Sequence, residues 1–221
     1  MLTTEDQDVR GALTRAIAGR GFAPSSGELA AELNVAVEAI DASLLRLADA
    51  HALLLHPGTT RPWAVHPFAL APGSCWVQCN ERGYWANCVY CAFGIAAALN
   101  QDASVTTRYG GEAETVRYEV RSNTVSSEDV FHLSTPVARW WDNVIFACAS
   151  FQPFRREADA ERWCARHGLP KGVVMTIPAL WGFARDWYGG YLQSPWRKRS
   201  VEATRALFAR HGLTGAFWTV G

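Results

Sequence analysis

Cys88 and Cys91 stand one helical turn apart at the head of an apolar run over 91–99, and Cys148 lies far along the chain in the segment 144–150. Residues at i and i+3 share a helix face, so both sulfurs of the pair reach one ligand. With a third thiol from a distant segment they make a pocket for a soft metal, Cu(I), Zn(II), Hg(II) or an iron–sulfur centre, over a hard, oxygen-loving cation. Cys88 falls in the first turn, where free backbone N–H groups favour the thiolate. The competing reading is two buried cysteines acting as small hydrophobes. Cys75 and Cys79 extend the pattern to C-x3-C-x8-C-x2-C. Four thiolates there would close a structural zinc site, although eight residues is a short gap for two knuckles. Cys164, beside Trp163 in a charged helix, reads as core packing.

The elements that position these thiols follow from composition and periodicity. The chain has 221 residues, with 21 Lys plus Arg against 21 Asp plus Glu. That balance leaves no global field to draw in nucleic acid or an anionic membrane. All tryptophans but Trp63 lie beyond Leu70, which predicts a broad aromatic core in that part. No apolar run approaches the roughly 18 residues of a spanning helix. The acidic start, Thr3-Thr4-Glu5-Asp6, is unlike a secretory signal. A cytoplasmic setting is therefore expected, where thiols stay reduced and six cysteines serve as ligands, catalysts or core fillers instead of disulfides.

Residues 1–66 read as a helical, winged-helix-like module. Val9, Leu13, Ala16 and Ile17 repeat at helical spacing; Ser25 and Glu28 have capping-box spacing; Val37, Ile40, Leu44 and Leu47 share a face. A short wing over 53–60 would complete the shape. Its second helix carries Glu38, Asp41 and one base, Arg46, whereas phosphate contact needs Lys and Arg, so a structural cap is favoured over a DNA reader. Prolines 57, 62, 67 and 72 mark the crossing into a second domain, 67–221. Strands are expected over 74–79, 103–109, 115–121, 130–133, 143–151 and 173–177, the second and third joined as a hairpin through Gly110-Gly111. Helices are expected from an Asn87 cap to about 99, over 157–167 up to Gly168, over 178–192 with Pro178 in the first turn, and over 201–210. The fold class is α+β. Tyr90 and Tyr109 are candidates to line the pocket, Asp142 reads as a cap, and His132 and His167 as surface or helix-end residues.

From about 76 to 191 the chain resembles the organomercurial (alkylmercury) lyases. The resemblance rests on Tyr84-Trp85-Ala86-Asn87-Cys88, 92–99, the segment bearing Cys148, Ala160-Glu161-Arg162-Trp163 and 172–177, with a helical N-terminal module like theirs. In that family two cysteines, one at the start of a buried helix and one on a distant strand, grip the mercury. An aspartate three residues after the first handles the proton. Cys88 and Cys148 fall on the cysteines, and Cys91 stands where the aspartate belongs. The resemblance implies protonolysis of a carbon–mercury bond in a small organometal substrate, without a cofactor. It further implies Hg(II), or another soft metal, as the bound product, with low-molecular-weight thiols or a mercuric reductase as its acceptor; the balanced charge and the lack of a long apolar run argue against nucleic acid and membrane as partners. The departure at 91 leaves two outcomes. Cys91 serves as acid or third ligand in a working lyase, or the site has become a soft-metal or sulfur-handling pocket. A metal-responsive DNA-binding regulator is the reading from a different class. Cys88, Cys91 and Cys148 are the candidate catalytic and metal-binding residues throughout.

Overall fold

The computed structural model describes residues 2–220. Helix α1 (Thr4–Arg20) starts at a reciprocal cap: the Thr3 hydroxyl accepts the Asp6 N–H, and the Asp6 carboxylate accepts the Thr3 N–H. Helix α2 (Ser26–Leu33) begins with the same device from Ser25 and Glu28 and ends at Asn34 in the left-handed conformation. Helix α3 (Val37–Asp49) turns Ile40, Ser43, Leu44 and Leu47 inward. Ser43 Oγ donates to the buried Asp6 carboxylate at 2.5 Å and Arg46 Nη2 donates to it at 2.7 Å. The one base on α3 is thus committed to an internal partner.

The chain then builds a sheet from β1 (Leu54–Leu55), β2 (Pro62–Val65), β3 (Phe68–Ala69), β4 (Cys75–Cys79) and β5 (Arg82–Ala86). Helix α4 (Val89–Leu99) follows, then β6 (Ala103–Arg108), β7 (Thr115–Arg121) and β8 (Thr124–Val125). All pairs are antiparallel, in the order β1-β2-β3-β5-β4-β6-β7-β8. The wing strands are the first members of this sheet, so β2 pairs with β3 across residue 66 and the sheet has no break at that boundary. One hydrophobic cluster holds Leu13, Ile40 and Leu47 of the N-terminal helices together with Phe93 of α4.

A second, three-stranded sheet is formed by β9 (Val130–Leu133), β10 (Gln152–Phe154) and β11 (Val173–Thr176), in the order β10-β9-β11. Helices α5 (Val144–Ser150), α6 (Glu157–His167), α7 (Ile177–Tyr188) and α8 (Val201–Arg210) complete the chain. The expected long strand over 143–151 is instead α5 followed by β10. Asn143, not Asp142, caps α5, its Oδ1 accepting the Phe146 N–H at 3.0 Å. Val144, Ala147 and Cys148 are buried while Ile145 and Phe146 are exposed, a helical and not an alternating pattern.

Helix α4 is buried on every side, as an all-apolar helix must be. It lies against the core-facing residues of β4, Cys75 and Val77, and against α7. A Cβ on Gly94 would sit 2.4 Å from Tyr188 Cδ2, so the absence of a side chain there sets the α4–α7 approach. Among the described residues no helix is long and apolar enough to cross a membrane.

Candidate functional site

Helix α4 begins at Cys88, its N-cap residue, which places Cys91 on the third helical position. The cap expected at Asn87 is therefore displaced by one residue. Cys148, in the middle of α5, brings its sulfur up to this helix start. All three cysteines are free and at most 6% exposed. Each thiol is perturbed by the other two, so the three sulfurs form one cluster.

A fourth member has no counterpart among the residues singled out from sequence. His66, on the turn between β2 and β3, lies with Cys91 and Cys148 so that the imidazole nitrogen and the two sulfurs are all within 4.8 Å of one another. No motif spacing announces it, because His66 precedes Cys91 by 25 positions and only the β2–β3 pairing carries it over α4. Its Nε2 is buried without a hydrogen-bond partner. Burial, with the Arg10 cation adding, pushes the imidazole down to about 4, so it is neutral at pH 7.

The helix start by itself favours a Cys88 thiolate. Desolvation wins instead: burial holds the Cys88 thiol well above its ordinary value. Cys91 is raised chiefly by the neighbouring Cys148 sulfur, and Cys148 chiefly by Cys88, with burial adding in both. At rest the site is consequently three thiols and a neutral imidazole. Such a set loses its protons to a soft metal and binds hard cations poorly.

The cluster forms part of the wall of a cavity of about 680 Å³. Tyr90 lines it, stacked on Phe183 at 5.0 Å, and its hydroxyl is a further buried group without a partner. Tyr109 does not line it. Its hydroxyl donates to Asp129 at 2.6 Å, beside that of Tyr118 at 2.9 Å. Asp142 is the one carboxylate on the wall among the described residues, and it is half-exposed and paired with Arg139 at 2.9 Å.

The other cysteines stay outside the cluster. Cys75 and Cys79 face the core from β4, and burial pushes both thiols up to about 11. Among the described residues the zinc quartet of Cys75, Cys79, Cys88 and Cys91 does not form a ligand group. Cys164 packs against His132, its Sγ 3.3 Å from Nε2. His132 is fully buried and not at the surface, with Nε2 2.6 Å from the Lys171 carbonyl. His167 ends α6 as expected.

Buried thiols from a helix start and a second helix lie beside an imidazole in an α+β fold, a group able to hold a metal ion. The alkylmercury lyase family model matches residues 68–189, more than half of the chain, and the chain belongs to that family. A solved structure described as the mercury-bound form of MerB2 superposes with a TM-score of 0.66 at 15% identity, covering 83% of this chain and 91% of that one. No curated protein matches the chain.

Proposed function

We propose that the chain cleaves carbon–mercury bonds in small organomercurials by protonolysis. The observation that carries this reading is the meeting of Cys88, Cys91 and Cys148 with His66 in one cavity of an alkylmercury-lyase fold. In the reaction R–Hg–X plus two thiols gives R–H, a bis-thiolate Hg(II), H⁺ and X⁻. One cysteine displaces X⁻ and releases a proton. The second cysteine passes its proton to the neutral His66 imidazole, or on through Cys91, as its sulfur adds electron density to mercury and weakens the bond to carbon. That same proton then goes to the leaving carbon, where the carbon–mercury electron pair forms the new C–H bond.

Cys88 and Cys148 are assigned as the two ligands. Cys91 takes the family aspartate's position as proton carrier or third ligand. A thiol, near about 8.5 in reference compounds, is a weaker acid than an aspartate near about 3.9. It nevertheless keeps its proton at neutral pH, as a donor must. Low-molecular-weight thiols would remove Hg(II) from such a site more slowly than from a two-thiolate one.

Among the described residues the clustered groups include no carboxylate, which supports a second reading, a soft-metal or sulfur-handling pocket without turnover. One assay separates them: hydrocarbon and Hg(II) release from methyl- or phenylmercury by the parent and by Cys88→Ser, Cys91→Ser, Cys91→Asp and Cys148→Ser. Turnover by the parent that falls in Cys88→Ser and Cys148→Ser supports the lyase. An inactive parent beside an active Cys91→Asp selects the second reading.

A further inference from the structure

The cavity that the thiols line is also cationic, and its hydrogen-bonding capacity is not fully used. Arg10 is 2% exposed, and every bond it makes is to a neutral group: Ala52 O at 3.1 Å, Thr14 Oγ1 at 3.1 Å and His66 O at 3.0 Å. Its guanidinium lies 4.1 Å from the Trp196 ring centre. Arg199 sits over Trp187 at 4.6 Å and donates one Nη to the Trp187 carbonyl at 3.2 Å. Its other Nη is buried with no partner. Lys198 also lines the wall, its ammonium donating to the Ala50 carbonyl.

A buried cation without a counter-charge is costly, and so is each buried donor without an acceptor. Here the two coincide. Arg199 Nη1 and the Tyr90 hydroxyl are unpartnered donors of the same cavity. Arg10, Arg199 and Tyr191 line the same cavity as the three thiols, which puts the cations and the thiols around one space. Among the described residues the only acidic one on the wall, Asp142, is already neutralised by Arg139. A carboxylate next to the reacting mercury would supply both the missing charge and the missing acceptors.

Resting on the lyase reading, we propose that Arg199, Tyr90 and the Arg10 charge form a carboxylate-binding subsite, so that the cavity takes organomercurials in a carboxylate-bearing form. The carboxylate comes either from the organic group itself or from a thiol, such as cysteine, that carries the organomercurial as its adduct. In both cases the anion is held by the cationic wall while mercury meets the sulfurs.

The test measures mercury–thiolate formation by ultraviolet absorbance, which does not require bond cleavage. In the first arm 4-carboxyphenylmercury is compared with phenylmercury. In the second, methylmercury is compared as its cysteine adduct and as its adduct with neutral 2-mercaptoethanol. The carboxylated form is expected to bind roughly tenfold more tightly in at least one arm, the scale of one charge-assisted hydrogen bond. That preference shrinks with added salt and in Arg199→Gln and Lys198→Gln, and persists in Arg162→Gln on α6, where neither the arginine nor its partner Asp159 lines the cavity. The arm that shows it identifies the source of the carboxylate. Equal binding within both pairs overturns the subsite and leaves the mercury site standing. No thiolate formation with any compound overturns the mercury site and the subsite with it. A carboxylate preference without hydrocarbon release keeps the subsite and removes the lyase.

Discussion

Replacing Gly94 by alanine tests how α4 is held against the helix that carries Tyr188. The added Cβ would lie 2.4 Å from Tyr188 Cδ2, 2.7 Å from Cε2 and 2.9 Å from Pro67 Cβ. Carbon atoms pack at about 3.5–4.0 Å, so both neighbours must retreat by about 1 Å. Neither has room. Tyr188 is 4% exposed and wedged between Tyr90 at 5.3 Å and Tyr191 at 4.8 Å. Pro67 is buried and directly follows His66. Overpacking of this kind costs about 1–3 kcal/mol, and alanine in a helix returns roughly 0.5–1 kcal/mol over glycine. A net loss of about 1–2 kcal/mol follows, together with a displaced His66 and weaker Hg(II) binding. Gly19, exposed at the end of α1, is the matched control, because a methyl added there would meet nothing within 4 Å. Its alanine variant should gain about 0.5–1 kcal/mol. Urea denaturation of both variants, with Hg(II) titrated against a competing dithiol, reads the difference. If Gly94→Ala is stabilised like Gly19→Ala and binds Hg(II) as the parent does, the close approach of α4 and α7 does not govern the site.

Three further outcomes follow from the titratable groups. Burial alone would raise the Asp6 carboxyl, but hydrogen bonds from Arg46, Ser43 and Thr3 outweigh it and hold the group well below the ordinary range. Its stabilisation is present above about pH 3.9 and is lost as pH falls below that, and Asp6→Ala should cost about 2–4 kcal/mol in urea denaturation. His66 is depressed to about 4, so its neutral form stabilises the fold fully above about pH 6.5. That contribution declines by about 1.4 kcal/mol per pH unit down to pH 4, and unfolding curves of His66→Gln should show a flatter slope across this window. The raised thiols act in the opposite sense: their contribution is complete below about pH 8.5 and is lost as pH rises beyond it. The same protonated state predicts that Hg(II) binding near pH 7 releases about two protons, measurable in weakly buffered solution.

Much of the architecture is legible locally, because the signals are local. The Ser25–Glu28 cap, the Gly168 stop after α6, the proline at the start of α7 and the β6–β7 hairpin all depend on neighbouring residues, and each forms where expected. The segment 143–151 misleads because Val, Ile and Phe favour strands. The Asn143 cap and the i, i+3, i+4 burial of Val144, Ala147 and Cys148 decide for a helix. The site divides in the same way. Cys88 and Cys91 share a helix start and are visible from spacing alone. Cys148 is placed by family resemblance. His66 has neither signal, since its place beside the thiols depends on strand pairing across residue 66 and on burial that no local pattern encodes.

A cysteine at 91, where the resemblance implies an aspartate, is intelligible from the surroundings of that position. Residue 91 is the third residue of α4, where the helix dipole welcomes an acidic group. Yet Cys91 is only 2% exposed, and no cation in the cluster is free to pair with a carboxylate there. Arg10, a buried charge on the same cavity, spends its donors on Ala52, Thr14 and His66. An aspartate at 91 would therefore have to be protonated at rest or destabilise the fold, whereas a thiol is buried neutral at little cost. The resting cavity thus combines uncharged thiols with lining residues that carry excess positive charge. Negative charge enters with the ligand, either as a thiolate whose charge the bound metal neutralises or as a carboxylate carried in to meet the unpartnered Arg199 donor. On the proposed lyase function, this coupling would place thiol deprotonation at the moment of binding, after an organomercurial has entered the cavity.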